Sequence, residues 1–411
     1  VKVAVLGTGQ LGAMLQQAGQ RIGIDVHLLD VCLPNVDGAL LPNTLPNTLP
    51  DALSTALSTA LPEPDVRITA EREHWPANQW TDALQRHPGW LNGAAFAVLS
   101  NRIRQKSLLD QLGLPTAPWC VHRAGTSRAA LHQQLGPDIF LKRATGGYDG
   151  RGQQRLKVDC DSDLSAWADD AVAEQAIGFD TEVSIIGARG RDGQIVCYRL
   201  TENRHDNGVL TISLSLEDSS DKLSRLQRSA QQMLQRVMES LDYVGVMAIE
   251  FFLVGEQLLI NEIAPRVHNS GHWTQAGASI SQFELHLRAV CGLPLPQPQQ
   301  TGSSMMINLL GLSYDAAWIS HGASQLHWYG KALQAGRKMG HINFCHRDPA
   351  QLADWLTALA LPATYQAARA WALARLASER DGDAQTETQK MAQGNQVQVD
   401  AQARGVIDPT A

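Results

Sequence analysis

The chain has 411 residues, 44% of them hydrophobic, and a net charge of −7. It is long enough for two or three domains with full cores, and it lacks the basic balance of a general nucleic-acid binder. No apolar run is long enough to span a bilayer; Val1–Leu6 reads as a strand rather than a signal peptide; and Cys32, Cys120, Cys160, Cys197, Cys291 and Cys345 are scattered without zinc or CxxC spacing, as expected of thiols in a reducing cytosol.

In chain order, the first unit is strand, glycine turn and helix. Val3–Leu6 is followed by Gly7-Thr8-Gly9-Gln10-Leu11-Gly12, then by Leu11, Met14, Leu15, Ala18 and Ile22 at helical spacing. A second strand, Asp25–Asp30, makes this the start of a parallel α/β unit. Taken alone, the fingerprint suits a nicotinamide or flavin dinucleotide, with Asp30 near the ribose position, or only a tight turn. Residues 41–61 are low complexity, with Leu41–Thr44 repeated as Leu45–Thr48 and Ala52–Thr55 as Ala56–Thr59. They read as a surface insertion without chemistry.

The middle opens on a helix, Arg102–Leu112, stopped by Gly113 and Pro115. The strand-like Ile139–Arg143 carries Lys142 into Ala144-Thr145-Gly146-Gly147-Tyr148-Asp149-Gly150-Arg151-Gly152-Gln153. Such glycines leave backbone N–H groups free to wrap phosphate oxygens. A bare hairpin loop is the alternative, but Asp149 and Arg151 look aimed at a substrate. Strands are expected at Val172–Gln175, Glu182–Ile186 and Gln194–Leu200. Glu174-Gln175-Ala176-Ile177, with Glu182 beyond, could meet an adenine edge and ribose hydroxyls, or be a plain strand end.

Leu223, Leu226, Ala230, Met233, Val237 and Leu241 mark a long amphipathic helix. Then comes a hairpin: the run Val244–Ile249, Glu250, the turn Val254-Gly255-Glu256-Gln257, and Ile260-Asn261-Glu262. Counting from the turn puts Glu250 roughly opposite Asn261, with Glu262 alongside. Two carboxylates and an amide there suit a hard divalent cation that also holds phosphate oxygens. Arg266, His268, Asn269 and His272, which follow, suit an anionic substrate; a surface hairpin with a polar exit is the plain alternative. Asn269-Ser270-Gly271 is a loop signal, which argues against a helical zinc pair of His268 and His272. Ser281 and Glu284 form a capping-box signal for a helix ending near Gly292. Ser304–Leu376 carries His327-Trp328-Tyr329, Lys331, Arg337 and Lys338, with Trp355, Leu356, Leu359, Trp371 and Leu376 as helix core faces. Beyond Leu376 the chain is polar, with six acidic and three basic residues, and a disordered tail is expected.

Lys142, the Gly-Gly-Tyr-Asp-Gly-Arg-Gly loop, Glu174–Ile177, Glu182 and the Glu250/Asn261-Glu262 hairpin together resemble the ATP-grasp arrangement. The narrower string Ala264-Pro265-Arg266-Val267-His268-Asn269-Ser270-Gly271-His272-Trp273-Thr274, with Gly9-Gln10-Leu11-Gly12 and Gly336-Arg337-Lys338-Met339-Gly340-His341, looks like the N5-carboxyaminoimidazole ribonucleotide synthetase family. The resemblance covers about residues 1–376, apart from 41–61.

It implies a mixed α/β and α+β, three-domain ATP-grasp fold: an N-terminal Rossmann-like parallel-sheet domain over 1–103, a lid over 104–202, a C-terminal ATP-grasp and substrate domain over 203–376, and the tail 377–411. ATP would lie between the last two domains, held by Arg102, Lys142, Gly147, Tyr148, Asp149, Gly150, Arg151, Gly152, Gln153, Glu174, Gln175, Ala176, Ile177, Glu182, His205, Asn261 and Glu262. Glu250 and Glu262 would hold magnesium. Asp149, Arg151, Arg266, His268 and Asn269 would meet bicarbonate and the aminoimidazole. Gln10, Lys331, Arg337 and Lys338 would meet the ribonucleotide and its phosphate. Ala13 departs from the family pattern, where an arginine commonly follows the third glycine.

The implied reaction is ATP-dependent carboxylation of 5-aminoimidazole ribonucleotide by bicarbonate in purine biosynthesis. It would pass through carboxyphosphate and release ADP and phosphate, in a cytoplasmic homodimer with no nucleic-acid or membrane partner. Rival readings are another ATP-grasp ligase (a formate-dependent glycinamide ribonucleotide transformylase, or a biotin carboxylase, for which no carrier domain is seen), a nicotinamide oxidoreductase, and a non-catalytic nucleotide-binding module.

Overall fold

The computed structural model describes residues 1–31, 61–147, 152–158, 164, 167, 170–217 and 220–379. Most of the 41–61 repeat, Tyr148, Asp149, Gly150, Arg151, Cys32, Cys160 and 380–411 lie outside the described residues.

The N-terminal sheet is parallel, in the order β2-β1-β3, built from β1 (Lys2–Leu6), β2 (Asp25–Leu29) and β3 (Arg67–Ala70). The continuous apolar run of β1 reflects burial on both faces. Val3 and Val5 point to a core with Met14 and Leu15 of the helix Gln10–Arg21, while Ala4 and Leu6 point to a second core with Trp80, Leu84 and Phe96. The first core also takes Phe283 and Leu287 from the helix Gln282–Cys291, so the N-terminal sheet shares its interior with distant chain. Ser281 caps that helix by accepting from the Glu284 N–H, and Gly292 closes it in a left-handed conformation.

A four-stranded antiparallel sheet follows, in the order β4-β7-β5-β6, from β4 (Trp119–His122), β5 (Asp138–Arg143), β6 (Gln153–Lys157) and β7 (Ala171–Gln175). Along β5, Ile139 and Leu141 pack under the helix Arg128–Leu135. Strand alternation therefore turns Phe140 and Lys142 to the other face, toward the large sheet.

The large sheet has nine strands: β8 (Thr181–Arg189), β9 (Ile195–Cys197), β10 (Thr201–Asp206), β11 (Val209–Ser215), β12 (Gly245–Val254), β13 (Gln257–Ala264), β14 (Ser303–Leu310), β15 (Gln325–Trp328) and β16 (Lys338–His346). Their order is β13-β12-β8-β10-β11-β14-β16-β15, with β9 on β8. The helix Asp221–Ser240 covers one face, placing Leu226, Ala230, Leu234 and Val237 against Ile249, Phe251 and Ile260. Because β8 and β9 pair into this sheet, a division of the chain at 202 falls inside the sheet, and the lid strands end at Gln175. The last helical stretch runs over 366–379. Its Glu379 accepts from Glu217 N–H (3.0 Å) and Ser303 Oγ (3.2 Å), so folded structure extends past the expected start of the tail at 377.

Candidate active site

The hairpin β12–β13 forms with its turn at Val254–Gln257, but its register slips by one. Phe251 pairs with Ile260, whereas Glu250 pairs with Glu262, which leaves Asn261 as the extra residue of a β-bulge. This corrects the expectation that Glu250 faces Asn261. The bulge also explains the side chains. Ile260 and Ile263, three apart, both enter the core under Asp221–Ser240, so Asn261 and Glu262 both turn away from it. Regular alternation would have sent these neighbours to opposite faces.

Both carboxylates border one cleft of about 310 Å³, lined by Arg102, Lys142, Glu174, Glu182, His205, Glu250, Asn261, Glu262, Arg266, His268 and Asn269. Burial lifts Glu250 to about 7; His205 opposes this, and Glu262 and Glu182 add to it. Burial also acts to raise Glu262, but Arg102, His268, Arg266 and Lys142 outweigh it and hold Glu262 below the usual range. Arg102, at the start of the helix Arg102–Gln111, stands 3.7 Å from Glu262.

On the lid side, Lys142 Nζ donates to Glu174 Oε2 (2.8 Å) and Asn261 Oδ1 (3.2 Å), bridging β5 to the bulge. Glu174 is also paired, at 3.3 Å, with Lys106, whose side chain is 2% exposed and bonded to Thr116 Oγ1. Burial resists ionisation of Glu174, yet Lys142 and Lys106 bring it down to about 2. Of the two carboxylates expected near the ribose, Glu174 is already shared by two ammonium groups. Glu182 is the other carboxylate there; its Oε2 lies 2.6 Å from His205 Nδ1. Burial acts to lower His205, but the hydrogen bond to Glu182 and the charge of Glu250 raise it to about 9. Ile177, Leu210 and the stacked rings of Phe179 and Phe252, 4.6 Å apart, give the cleft an apolar wall.

Past the bulge the chain turns toward the N-terminal sheet. Arg266 pairs with Glu73 at 2.9 Å. His268 Nδ1 is 3.0 Å from Ser270 Oγ and 3.8 Å from Glu250. Burial, reinforced by Arg266, lowers His268 to about 3, so its ring is neutral at physiological pH. Asn269 Oδ1 accepts from Lys338, and Gln10 Oε1 accepts from Lys331. The ring of Tyr329 lies 5.2 Å from the Lys331 ammonium and 5.7 Å from that of Lys338. Gln10, Lys331, Lys338 and Asn269, spread over the chain, therefore converge around one tyrosine. Arg337 is exposed, with Nη1 toward the Ala332 carbonyl (3.4 Å).

The glycine fingerprint is not an open dinucleotide site. Glu71, at the end of β3, accepts from the N–H groups of Gly9 and Gly12. A Cβ on Gly7, which has φ +122°, would stand 2.5 Å from the Glu71 side chain. The turn is glycine-rich because an internal carboxylate occupies the place where a pyrophosphate would dock. This removes the ground for the nicotinamide reading.

Glu71, Glu73 and Lys106 were not singled out from the sequence, and Tyr329 was noted within His327-Trp328-Tyr329 without a role. A signal existed for the first two: acidic residues just beyond a parallel strand's carboxyl end, where ligand crevices form. Lys106 lies four residues after Arg102, one turn along the same helix face. Tyr148, Asp149, Gly150 and Arg151 lie outside the described residues, while Gly152 and Gln153 line the cleft and Gly147 lies against Gly152.

A lid sheet and a large antiparallel sheet gripping a cleft with Lys142 on one side and a carboxylate pair on the other define an ATP-grasp ligase. Accordingly, residues 107–283 match the ATP-grasp domain and 304–354 match the phosphoribosylaminoimidazole carboxylase C-terminal domain. The chain is 44% identical over 374 residues to N5-carboxyaminoimidazole ribonucleotide synthase of Escherichia coli (90% of this chain, 98% of the relative) and 43% identical over 380 residues to that of Haemophilus influenzae (91% and 97%). It belongs to the N5-carboxyaminoimidazole ribonucleotide synthase family. Among solved structures, it is similar to the Thermus thermophilus synthetase (TM-score 0.73, 35% identity, 86% of this chain and 96% of that one). It is also similar to the Aspergillus clavatus synthase in complex with ADP and 5-aminoimidazole ribonucleotide (TM-score 0.68, 28% identity, 84% and 94%).

Proposed function

We propose that the protein uses ATP to carboxylate the exocyclic amine of 5-aminoimidazole ribonucleotide with bicarbonate, releasing ADP and phosphate. The observation that carries this reading is the continuity of one short segment. Asn261 reaches the lid lysine, Glu262 faces Glu250, and Arg266, His268 and Asn269 reach Glu73, Glu250 and Lys338. A phosphate-handling cleft thus opens directly onto a basic, amide-lined cluster suited to a phosphorylated acceptor.

Bicarbonate is a poor electrophile, and phosphorylation would turn it into carboxyphosphate. Lys142 and Arg102 would meet charge on the transferring phosphoryl group. The adenine would lie against Phe179, Phe252, Leu210 and Ile177; the N–H groups of Gln175 and Ala176 are taken by the Pro118 and Asp138 carbonyls, so the Ile177 N–H and the carbonyls of this segment would meet the base edge, and Glu182 the ribose. Glu250 and Glu262 fit a hard dication: they are opposed and partly buried, and the raised Glu250 marks the charge that a cation would offset. Among the described residues no three His, Cys, Asp or Glu side chains form a cage, and Glu250 and Glu262 are the pair that would hold magnesium. When bound, magnesium would supply neutralisation of phosphate charge. Arg266 would hold the carboxylate being transferred; Nδ1 of neutral His268 accepts from Ser270 N–H, so its Nε2–H would donate to that carboxylate, and Asp149 would take the amine proton. Asp149 and Arg151, on the glycine loop, would complete closure over the anhydride and keep water out. Lys331, Lys338 and Gln10 would hold the ribonucleotide, with Arg337 at its outer edge.

No helix among the described residues is long and apolar enough to cross a membrane. The reading extends to a cytoplasmic homodimer, which sedimentation of the purified protein tests. ADP release at fixed bicarbonate tests the activity. It should rise with aminoimidazole ribonucleotide and be indifferent to formate. Formate-dependent release with glycinamide ribonucleotide would instead indicate the transformylase.

A further inference from the structure

Behind the two lysines lies a buried network that the reaction does not use. His341 stacks on His327 at 4.5 Å with 6° between the rings, and tilts against His272 at 4.7 Å. His341 Nε2 lies 2.9 Å from Gln275 Oε1, and the Tyr329 hydroxyl lies 2.6 Å from His341 Nδ1. An amide oxygen can only accept, so Nε2 of His341 carries the proton. Nδ1 is then the acceptor, and Tyr329 must donate to it. Gln275 Nε2 in turn faces His327 Nδ1 at 3.4 Å. His341 and His272 are buried and His327 is half-buried: His341 and His272 are driven well below the ordinary histidine value, and His327 to about 4, by desolvation first and by Lys338 in addition. Both nitrogens of His341 are thus committed, whereas Nε2 of His272 and Nε2 of His327 have no hydrogen-bond partner among the described residues.

A phenol that donates its proton to an imidazole gains electron density on its ring, and it is the ring face that attracts a cation. We propose that Tyr329, locked by His341 and Gln275, is a positioning residue that sets the spacing of the Lys331 and Lys338 ammonium groups for the phosphate of the ribonucleotide. A single ring lies within 6 Å of both ammonium groups, each of which is also tied to an amide oxygen, Gln10 for Lys331 and Asn269 for Lys338. Two like charges are thereby held near one another before the anion arrives, so that less ordering is left for binding. This inference rests on the proposed role of the two lysines.

The test is steady-state kinetics of full-length Tyr329→Leu, Tyr329→Phe, Lys331→Ala and Lys338→Ala, with thermal melting to verify folding. Tyr329→Leu should raise the KM for aminoimidazole ribonucleotide about tenfold, with kcat and the KM for ATP within twofold. Tyr329→Phe keeps the ring but cuts the bond to His341, and should raise that KM about threefold. Inorganic phosphate should compete with the nucleotide less well in both variants. If the lysine variants raise the nucleotide KM but Tyr329→Leu leaves it unchanged, the platform is refuted and the lysine reading stands. If neither lysine variant changes it, the lysine reading fails and the inference goes with it. A Tyr329 variant that alters kcat and both KM values together would also overturn the inference.

Discussion

Glu250 and Glu262 stand directly opposite each other on β12 and β13 because Asn261 is bulged out between Ile260 and Glu262. If the pair holds magnesium against phosphate oxygens, Glu262→Gln should lower kcat by about 100-fold or more, in line with loss of a main electrostatic group. The melting temperature should fall only modestly, because the amide keeps the side chain's shape and the lost pairing with Arg102 is partly offset by relief of the repulsion from Glu250. Near-normal turnover in a folded Glu262→Gln protein would contradict the metal role.

The bonds from Gly9 and Gly12 to Glu71 make a different kind of prediction. Replacing Glu71 by Gln keeps one acceptor but sets an amide NH₂ against a backbone N–H, so stability should fall by about 2 kcal/mol. Equilibrium urea unfolding measures this. A fluorescence titration of the unmodified protein with NADPH should show no saturable binding, since the amides a dinucleotide would use are taken.

Lys106 takes up part of the charge of Glu174, which leaves Lys142 with field to offer a phosphate. Lys106→Met should cost about 3–5 kcal/mol, as expected when one partner of a buried ion pair is lost, and should raise the KM for ATP. The double variant Lys106→Met/Glu174→Gln should recover much of the stability because no buried charge is left with a single partner. A double-mutant cycle with additive losses would show that the two groups do not act together.

His286 joins the N-terminal sheet to the large sheet: its Nε2 is 3.0 Å from Thr69 Oγ1 and its Nδ1 accepts from Val246 N–H at 3.0 Å. Burial lowers it from 6.5 to about 4. The unfolded chain therefore takes up this proton at a higher pH than the folded one. The contribution is complete above about pH 6.5, and it is lost as the pH falls toward 4, by about 3 kcal/mol in all. Urea midpoints from pH 7 to 4 should show that loss, and His286→Gln should flatten it.

What the sequence revealed and what it hid divide along the range of the interactions. The buried run of β1, the amphipathic helix Asp221–Ser240, the Ser281 cap and the hairpin turn are local patterns, and each formed within a few residues of its expected bounds. The bulge at Asn261 was not legible because a one-residue slip leaves composition and periodicity almost unchanged. The clasp of Glu71 on Gly9, 62 residues away, and the contact of Lys331 with Gln10, 321 residues away, exist only once separate sheets share a core. For the same reason the glycine fingerprint was locally indistinguishable from a dinucleotide turn: what fills it comes from another strand.

The central claim is that ATP activates bicarbonate for transfer to the aminoimidazole amine. Turnover with ¹⁸O-labelled bicarbonate, with the released phosphate analysed by mass spectrometry, tests this most directly. One bicarbonate oxygen should appear in each phosphate formed, matched by one N5-carboxylated nucleotide. Phosphate labelled from water instead, or ADP formed without any carboxylated nucleotide, would contradict it.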